Sequence, residues 1–309
     1  MSLKASAVLV GILFAGAASA QAQSAGSAIT ASVDCSFCKQ WNQPQKPFKV
    51  YGNTYYVGTS ELSAMLITSP RGHILLDGAL PQSAPLIAAS IKALGFRLRD
   101  IKLILNSHAH FDHGGAIAAL QQLTGAQVAA SVHGARVLED GEVGKDDPQY
   151  DPVKPMRSPK VAKVRGVPDG ETVQLGTLVV TAHLTPGHTP GSTTWTWKSC
   201  EGGRCLDVVY ADSLTPVSTD GFRYTGDAAT PERMALFRKS VEKVGALKCD
   251  IIVSTHPGFT NTLDKLAART PTSNPFIDPA GCRAYAASSM ARLEKRAAEE
   301  AAAAPSLVK

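Results

Sequence analysis

The sequence predicts an α/β protein, one large sheet-rich domain with helices packed outside its sheets. Short runs of β-branched and apolar residues bounded by turn formers recur along the chain, notably at 101–105, 127–132 and 250–255. Between such runs lie segments with apolar residues at helical spacing, such as Leu86, Ile87, Ile91 and Leu94. Histidines stand just after several of the apolar runs, which places candidate ligands on loops at one edge of a sheet.

The chain opens on residues that read as an address rather than as fold. Lys4 supplies a positive start, residues 5–17 form a short apolar core, and Ala18-Ser19-Ala20 is a small-residue cleavage site. This is a secretory signal peptide over 1–20, too short and wrongly flanked for a membrane span, and it directs the protein to the periplasm. Removing twenty residues from 309 leaves 289, and losing Lys4 takes the net charge from +5 to +4. That charge is spread without a dense basic run, which argues against a nucleic-acid partner and would not repel an anionic small substrate. Residues 21–33, mostly Ala, Ser, Gly and Gln, read as a poorly ordered lead-in, and 34–309 as the domain, monomeric by default.

Within the domain, 48–51 and 54–57 around Gly52-Asn53 read as paired strands, and 62–68 with 73–77 as a second hairpin turning at Ser69-Pro70-Arg71-Gly72. Residues 83–95 form a helix bounded by Pro81 and Gly95. Strand 101–105, helix 115–123 and strand 127–132 follow. Residues 139–169, with five prolines and little periodicity, read as a long surface loop able to form the lip of a site. Strands resume at 171–175, 177–184, 192–198 and 206–211; a helix opens at Pro231, a buried strand spans 250–255, and 279–304 is helical.

Six cysteines in an exported chain suggest disulfides. Cys200 and Cys205 bracket a turn, Cys249 and Cys282 tie the C-terminal segment to the strand at Asp250, and Cys35 and Cys38 pair with each other or stay reactive. A zinc knuckle is the rival for Cys35 and Cys38, weakened because no second cysteine pair stands nearby.

The chemistry concentrates in Asn106-Ser107-His108-Ala109-His110-Phe111-Asp112-His113-Gly114-Gly115. Imidazoles at i and i+2 cannot share a helix face, but in a tight loop they converge on one ion, and Asp112-His113 can reach a second. Zinc takes imidazole nitrogen and carboxylate oxygen, and a hydrolytic site keeps a position open for water. His188 in Thr185-Pro186-Gly187-His188 and His256 in Ser254-Thr255-His256-Pro257 extend the set, whereas His73, His133 and His183 have no such company and read as structural. Asp77 after the strand at 73–77 is either a partner fixing a ligand histidine's tautomer or a turn carboxylate. Trp41, Tyr55 and Tyr56 read as core aromatics, with lining of the cleft as the alternative, and Gln149 and Tyr150 lie in the long loop, touching substrate or solvent.

These residues resemble the metallo-β-lactamase superfamily, whose hallmark is His-x-His-x-Asp-His followed by two later histidines. The likeness covers nearly all of the mature chain. Asp112 beside His113, the stretch at 185–192, Tyr210-Ala211-Asp212-Ser213-Leu214 and Trp41-Asn42-Gln43-Pro44-Gln45-Lys46-Pro47 look like subclass B3. The resemblance implies an αββα sandwich, two mixed β-sheets flanked by helices, with two zinc ions at its upper edge. His108, His110 and His188 match the ligands of the first zinc; Asp112, His113 and His256 match those of the second. It further implies that a hydroxide between the ions, oriented by Asp112, attacks the β-lactam carbonyl of penicillins, cephalosporins and carbapenems, and that Ser213 and Thr215 bind the substrate carboxylate. Thr215 stands where serine is more usual and keeps the hydroxyl. Asp212 reads as a residue behind the ligands, with a metal-bridging role as the alternative, and that alternative would suit a dizinc hydrolase of lactones or other esters. A secreted binding protein without turnover is the third reading, disfavoured because five histidines and one aspartate shared by two ions leave water positions open.

Overall fold

Strands that are apolar on both faces must be covered on both sides, and the layers of this protein follow from that requirement. The computed structural model describes residues 31–228 and 230–303; the stretch expected to be a signal peptide and most of the expected lead-in lie outside them. The first sheet runs β1 (Phe48–Tyr51), β2 (Thr54–Tyr56), β3 (Met65–Ile67), β4 (His73–Leu76), β5 (Ile101–Leu105), β6 (Gln127–Ser131) and β7 (Val164–Val167) in spatial order. Its first four strands are antiparallel hairpins, and from β4 onward the pairing is parallel. The second sheet is ordered β12 (Ile251–Ser254), β11 (Arg204–Ala211), β10 (Thr193–Glu201), β9 (Leu178–Leu184) and β8 (Thr172–Leu175), with only β11 and β12 parallel.

Alternation along each strand assigns its residues to layers. Ile74 and Leu76 of β4 pack between the sheets with Trp195, Val208, Tyr210, Ile251 and Val253. Leu75 faces the other way, toward Ile87 of helix α2 (Ala84–Ala93) and Ile117 of α3 (Ile117–Thr124). On the far side Val209 and Ile252 meet Phe237 of α5 (Met234–Ala246) and Tyr285 of α7 (Gly281–Ala302). The result is an αββα sandwich, as the family likeness implies. Among the described residues no helix is long and apolar enough to cross a membrane.

Four elements depart from the sequence reading. The loop expected over 139–169 is cut short at both ends: α4 (Val132–Asp140) precedes it and β7 closes the first sheet inside it. Ser131 caps that helix by accepting from the Gly134 N–H, and Gly141 ends it in the left-handed region. Gly134 within a nine-residue helix masks the spacing of the buried Ala135 and Leu138. The four-residue α1 (Cys38–Trp41) and six-residue α6 (Thr262–Ala267) are too short to show periodicity. The disulfides are Cys35–Cys38, Cys200–Cys205 and Cys249–Cys282, which removes the zinc-knuckle alternative.

Candidate active site

The C-terminal ends of β4, β5, β9, β11 and β12 lie along one edge of the sandwich, and each hands the chain to a loop that carries a polar side chain inward. After β4 comes Asp77, after β5 the segment 106–115, after β9 His188, after β11 Asp212, after β12 His256. Thr193 N–H donates to the Ser107 carbonyl and ties the two sheets together beside the cluster. The Trp195 indole donates to the Asn106 carbonyl (3.0 Å) from between the sheets. Gly115 is required for space: a Cβ there would lie 2.1 Å from the Phe111 carbonyl oxygen.

Asp77 is the buried hub of the loop. Its carboxylate accepts from Asn106 Nδ2 (2.9 Å), Ser107 N (2.8 Å), Ser107 Oγ (2.6 Å) and Tyr210 OH (2.9 Å). The nearest histidine nitrogen, His113 Nδ1, is 4.0 Å away, so Asp77 holds the loop's backbone and does not fix a histidine tautomer by direct hydrogen bond. Burial pushes its carboxyl up to about 6 against the pull of His113 and Ser107.

Three of the imidazoles are anchored through one ring nitrogen, which leaves the other for the site. His108 Nδ1 donates to Asp212 Oδ1 (2.6 Å), His188 Nδ1 to the Thr215 carbonyl (2.9 Å), and His110 Nε2 to Asp147 Oδ2 (3.0 Å). His108, His110 and His188 thereby bring ligand atoms within 4.8 Å of one another. His108, Asp112 and His113 form a second such group. His256 joins it, its Nε2 being 3.4 Å from Asp112 Oδ2 and 3.2 Å from His113 Nε2. His73, His133 and His183 stand apart, bonded to the Ser69 N–H, Asp146 and Thr196 respectively.

This donor set fits metal ions. His108 Nε2 is buried with no hydrogen-bond partner among the described residues, a costly arrangement unless a cation takes the lone pair. Two imidazole nitrogens and a carboxylate oxygen packed within 3.4 Å, as at His113, His256 and Asp112, likewise need a positive charge between them. Burial, with the neighbouring histidines, pushes His108 well below its usual range and His188 down to about 3, which keeps both neutral as ligation requires. Burial works against ionisation of Asp112, but His113 and His256 outweigh it and hold that carboxyl well below the usual range. Burial also lowers His110, and Asp147 overcomes it to leave that imidazole raised.

Asp212 is fully buried, and its carboxylate sits on the His108 nitrogen opposite the orphaned one; its backbone carbonyl accepts from Tyr285 OH (2.7 Å). The Ser213 hydroxyl pairs with that of Thr255 (2.8 Å), next to His256, and the Thr215 hydroxyl lies 3.2 Å from His188 Nδ1. Trp41 serves both readings: half-buried and packed against the core on one side, it meets the His256 ring at 5.6 Å on the other, whereas Tyr56 is fully buried and Tyr55 packs on Phe96. The sequence reading missed Asp147, Tyr285 and Thr194, which support His110 and Asp212 from distant segments. From the long loop Gln149 reaches in, its Nε2 being 3.4 Å from both His110 Nδ1 and His188 Nε2, while Tyr150 contributes its carbonyl to Thr219.

Residues 58–256 match the model of the metallo-beta-lactamase superfamily. Among solved structures, MEM-A1, a subclass B3 metallo-beta-lactamase from a soil metagenome library, is 51% identical with a TM-score of 0.82, the alignment covering 85% of this chain and 99% of that one. MIM-1 from Novosphingobium pentaromativorans is 40% identical with a TM-score of 0.78, covering 85% and 94%. A hydroxyacylglutathione hydrolase of Anaeromyxobacter dehalogenans is 32% identical over 155 residues, 50% of this chain and 47% of the relative, so the chain spans about half the length of that curated protein.

Proposed function

Because the chain belongs to the metallo-β-lactamase superfamily and, within it, to subclass B3, we propose that it is an exported dizinc β-lactamase hydrolysing the amide of penicillins, cephalosporins and carbapenems, so that it confers antibiotic resistance. The observation that carries this reading is the convergence of six donor side chains at one sheet edge, with the buried Nε2 of His108 left for a cation. His108, His110 and His188 would hold one zinc, and Asp112, His113 and His256 the other. Zinc supplies Lewis acidity and a water whose pKa falls to about 7, so no side-chain base has to generate the nucleophile.

The remaining work belongs to the chain. Asp212, Asp147 and the Thr215 carbonyl each hold one ring nitrogen of His108, His110 and His188, so that the opposite nitrogens face inward without reorganisation when substrate arrives. Asp112, held ionised within the second group, would accept a hydrogen bond from the nucleophilic water and so orient it. The hydroxyls of Ser213 and Thr215, one beside each group, serve the substrate carboxylate. The reading includes the signal peptide at 1–20, a periplasmic monomer over 34–309, and no nucleic-acid or membrane partner after cleavage. Asp212 engaged with His108 favours the lactamase over the lactone or ester hydrolase that a bridging aspartate would suit.

Hydrolysis of a carbapenem and a cephalosporin by purified mature protein, stripped of metal and reloaded with zinc, tests it. Ring opening should vanish with chelator and return with zinc; a sample carrying two zincs that opens neither ring refutes the proposal.

A further inference from the structure

Behind the turn that carries His256 lies a cavity of about 360 Å³ that the metal chemistry does not use; its lining includes Phe259, Lys265, Asp278, Tyr285, Ser288 and Arg292. Phe259 belongs to the 3-10 turn Pro257–Thr260. Its N–H donates to the His256 carbonyl (3.1 Å), and its ring meets the His256 ring at 5.6 Å. Tyr285, Ser288 and Arg292 fall at helical spacing on one face of α7. From that face the Tyr285 hydroxyl donates to the carbonyl of Asp212, the residue behind His108.

Arg292 is a cation without a counter-charge. Its Nη atoms donate to Ser288 Oγ (2.7 Å) and Ser289 Oγ (2.9 Å), and its guanidinium lies over the Phe259 ring, 5.0 Å from the centroid. On the same helix Arg296 pairs with Glu300, and Glu294 with Arg238, but among the described residues no carboxylate pairs with Arg292. Its Nε is buried with no hydrogen-bond partner. Burial pushes the guanidinium below its ordinary range, as it does for a cation whose charge nothing nearby balances. Each Nη still carries a second N–H, and the edge of a guanidinium matches two oxygens of one anion. Lys265 brings another cation to the same cavity; its side chain is 16% exposed, and its ammonium reaches only Asp278 Oδ2, at 3.5 Å. Two cations against one carboxylate leave the lining with positive charge in excess, in a volume that suits a small ligand.

We propose that Arg292 and Lys265 form a site for a small oxyanion, a phosphate or carboxylate group, at the back of the turn that carries His256. The planar fork of Arg292 holds the anion and the Lys265 ammonium adds a point charge beside it. The test titrates the zinc-loaded protein with inorganic phosphate and, separately, with succinate at constant ionic strength, followed by calorimetry and by amide chemical shifts. Saturable binding should move the amides of Phe259, Asn261 and Ser288, and the ion that binds more tightly tells phosphate from carboxylate as the group recognised. Arg292→Gln and Lys265→Gln should each raise the dissociation constant roughly 10- to 100-fold, the loss of one charged hydrogen bond, with Arg292→Lys between Arg292→Gln and the wild type. If Arg292→Gln does not fold, Lys265→Gln decides, since its side chain has one weak contact to lose. Shifts confined to 106–115, where an anion sits on the metals, overturn the site, as does an unchanged affinity in Lys265→Gln or the failure of both ions to bind. None of these outcomes bears on ring opening, so the site and the lactamase reading fail separately.

Discussion

Replacing Asp77 separates a residue that merely ends a strand from one that holds the metal-binding loop. Asp77→Ala removes the acceptor of Asn106 Nδ2, Ser107 N and Ser107 Oγ; Tyr210 OH is spared, since the Ser63 carbonyl lies 3.0 Å from it. The Ser107 hydroxyl can rotate to another partner. The two N–H groups cannot, and each buried orphan costs about 1–3 kcal/mol. The backbone at Asp77 has φ +61°, where alanine adds about 1 kcal/mol that aspartate and asparagine largely escape. The sum is about 3–7 kcal/mol, comparable to the whole stability of a typical domain at about 5–15 kcal/mol. Asp77→Asn keeps one carbonyl oxygen for the two N–H groups and turns its amide toward hydroxyls that can accept, so its cost is about 1–2 kcal/mol. Urea unfolding with chelator present measures both without the contribution of metal binding. An Asp77→Ala protein within about 1 kcal/mol of wild type refutes the hub argument, since two buried N–H groups cannot lose their acceptor that cheaply.

Three other perturbations follow from the same geometry. Asp147→Asn should weaken zinc binding about 10- to 100-fold, measured by competition with a chromophoric chelator, because the His110 Nε2–H loses its charged acceptor. Cys249→Ser/Cys282→Ser should lower unfolding free energy by about 3–4 kcal/mol in urea, since the bridge spans 33 positions. Glu300 accepts from the Tyr224 and Thr225 N–H groups, the Thr225 hydroxyl and Arg296; burial raises its carboxyl, and these partners overcome it to hold it at about 2. A folded pKa depressed from 4.5 gives stability that is full above about 4.5 and is lost as pH falls toward 2. Glu300→Gln should therefore flatten the acid limb of the stability curve by up to about 3 kcal/mol; an unchanged limb in acid titration followed by circular dichroism counts against that clamp.

How far the sequence disclosed this molecule depends on how far apart cooperating residues lie. The cluster of candidate ligands was legible because His108, His110, Asp112 and His113 fall in one loop after a strand, a density that surface chance does not produce, and because His188 and His256 each follow a strand among turn formers. Strand 101–105 and the helix at 84–93 were legible for a similar reason, since their periods are carried by neighbouring residues. Support for the ligands was less so. Asp147 reaches His110 across 37 positions, and Tyr285 reaches Asp212 across 73, from a helix whose visible pattern records only its buried face. Neither residue is unusual in its own neighbourhood, so no local period or spacing marks it. Asp77 was visible as a carboxylate at a strand end, read as a histidine partner or a turn carboxylate, yet its role as anchor of the 106–115 loop shows only in the gap between 2.8 Å to Ser107 N and 4.0 Å to His113 Nδ1. Helix α4 failed for the opposite reason: Gly134 and the following proline-rich loop gave strong local signals of irregularity, and the Ser131 cap with packing of Ala135 and Leu138 overrode them. The chemistry of a metal site is thus written in close-set residues, while the groups that tune it are placed by the fold.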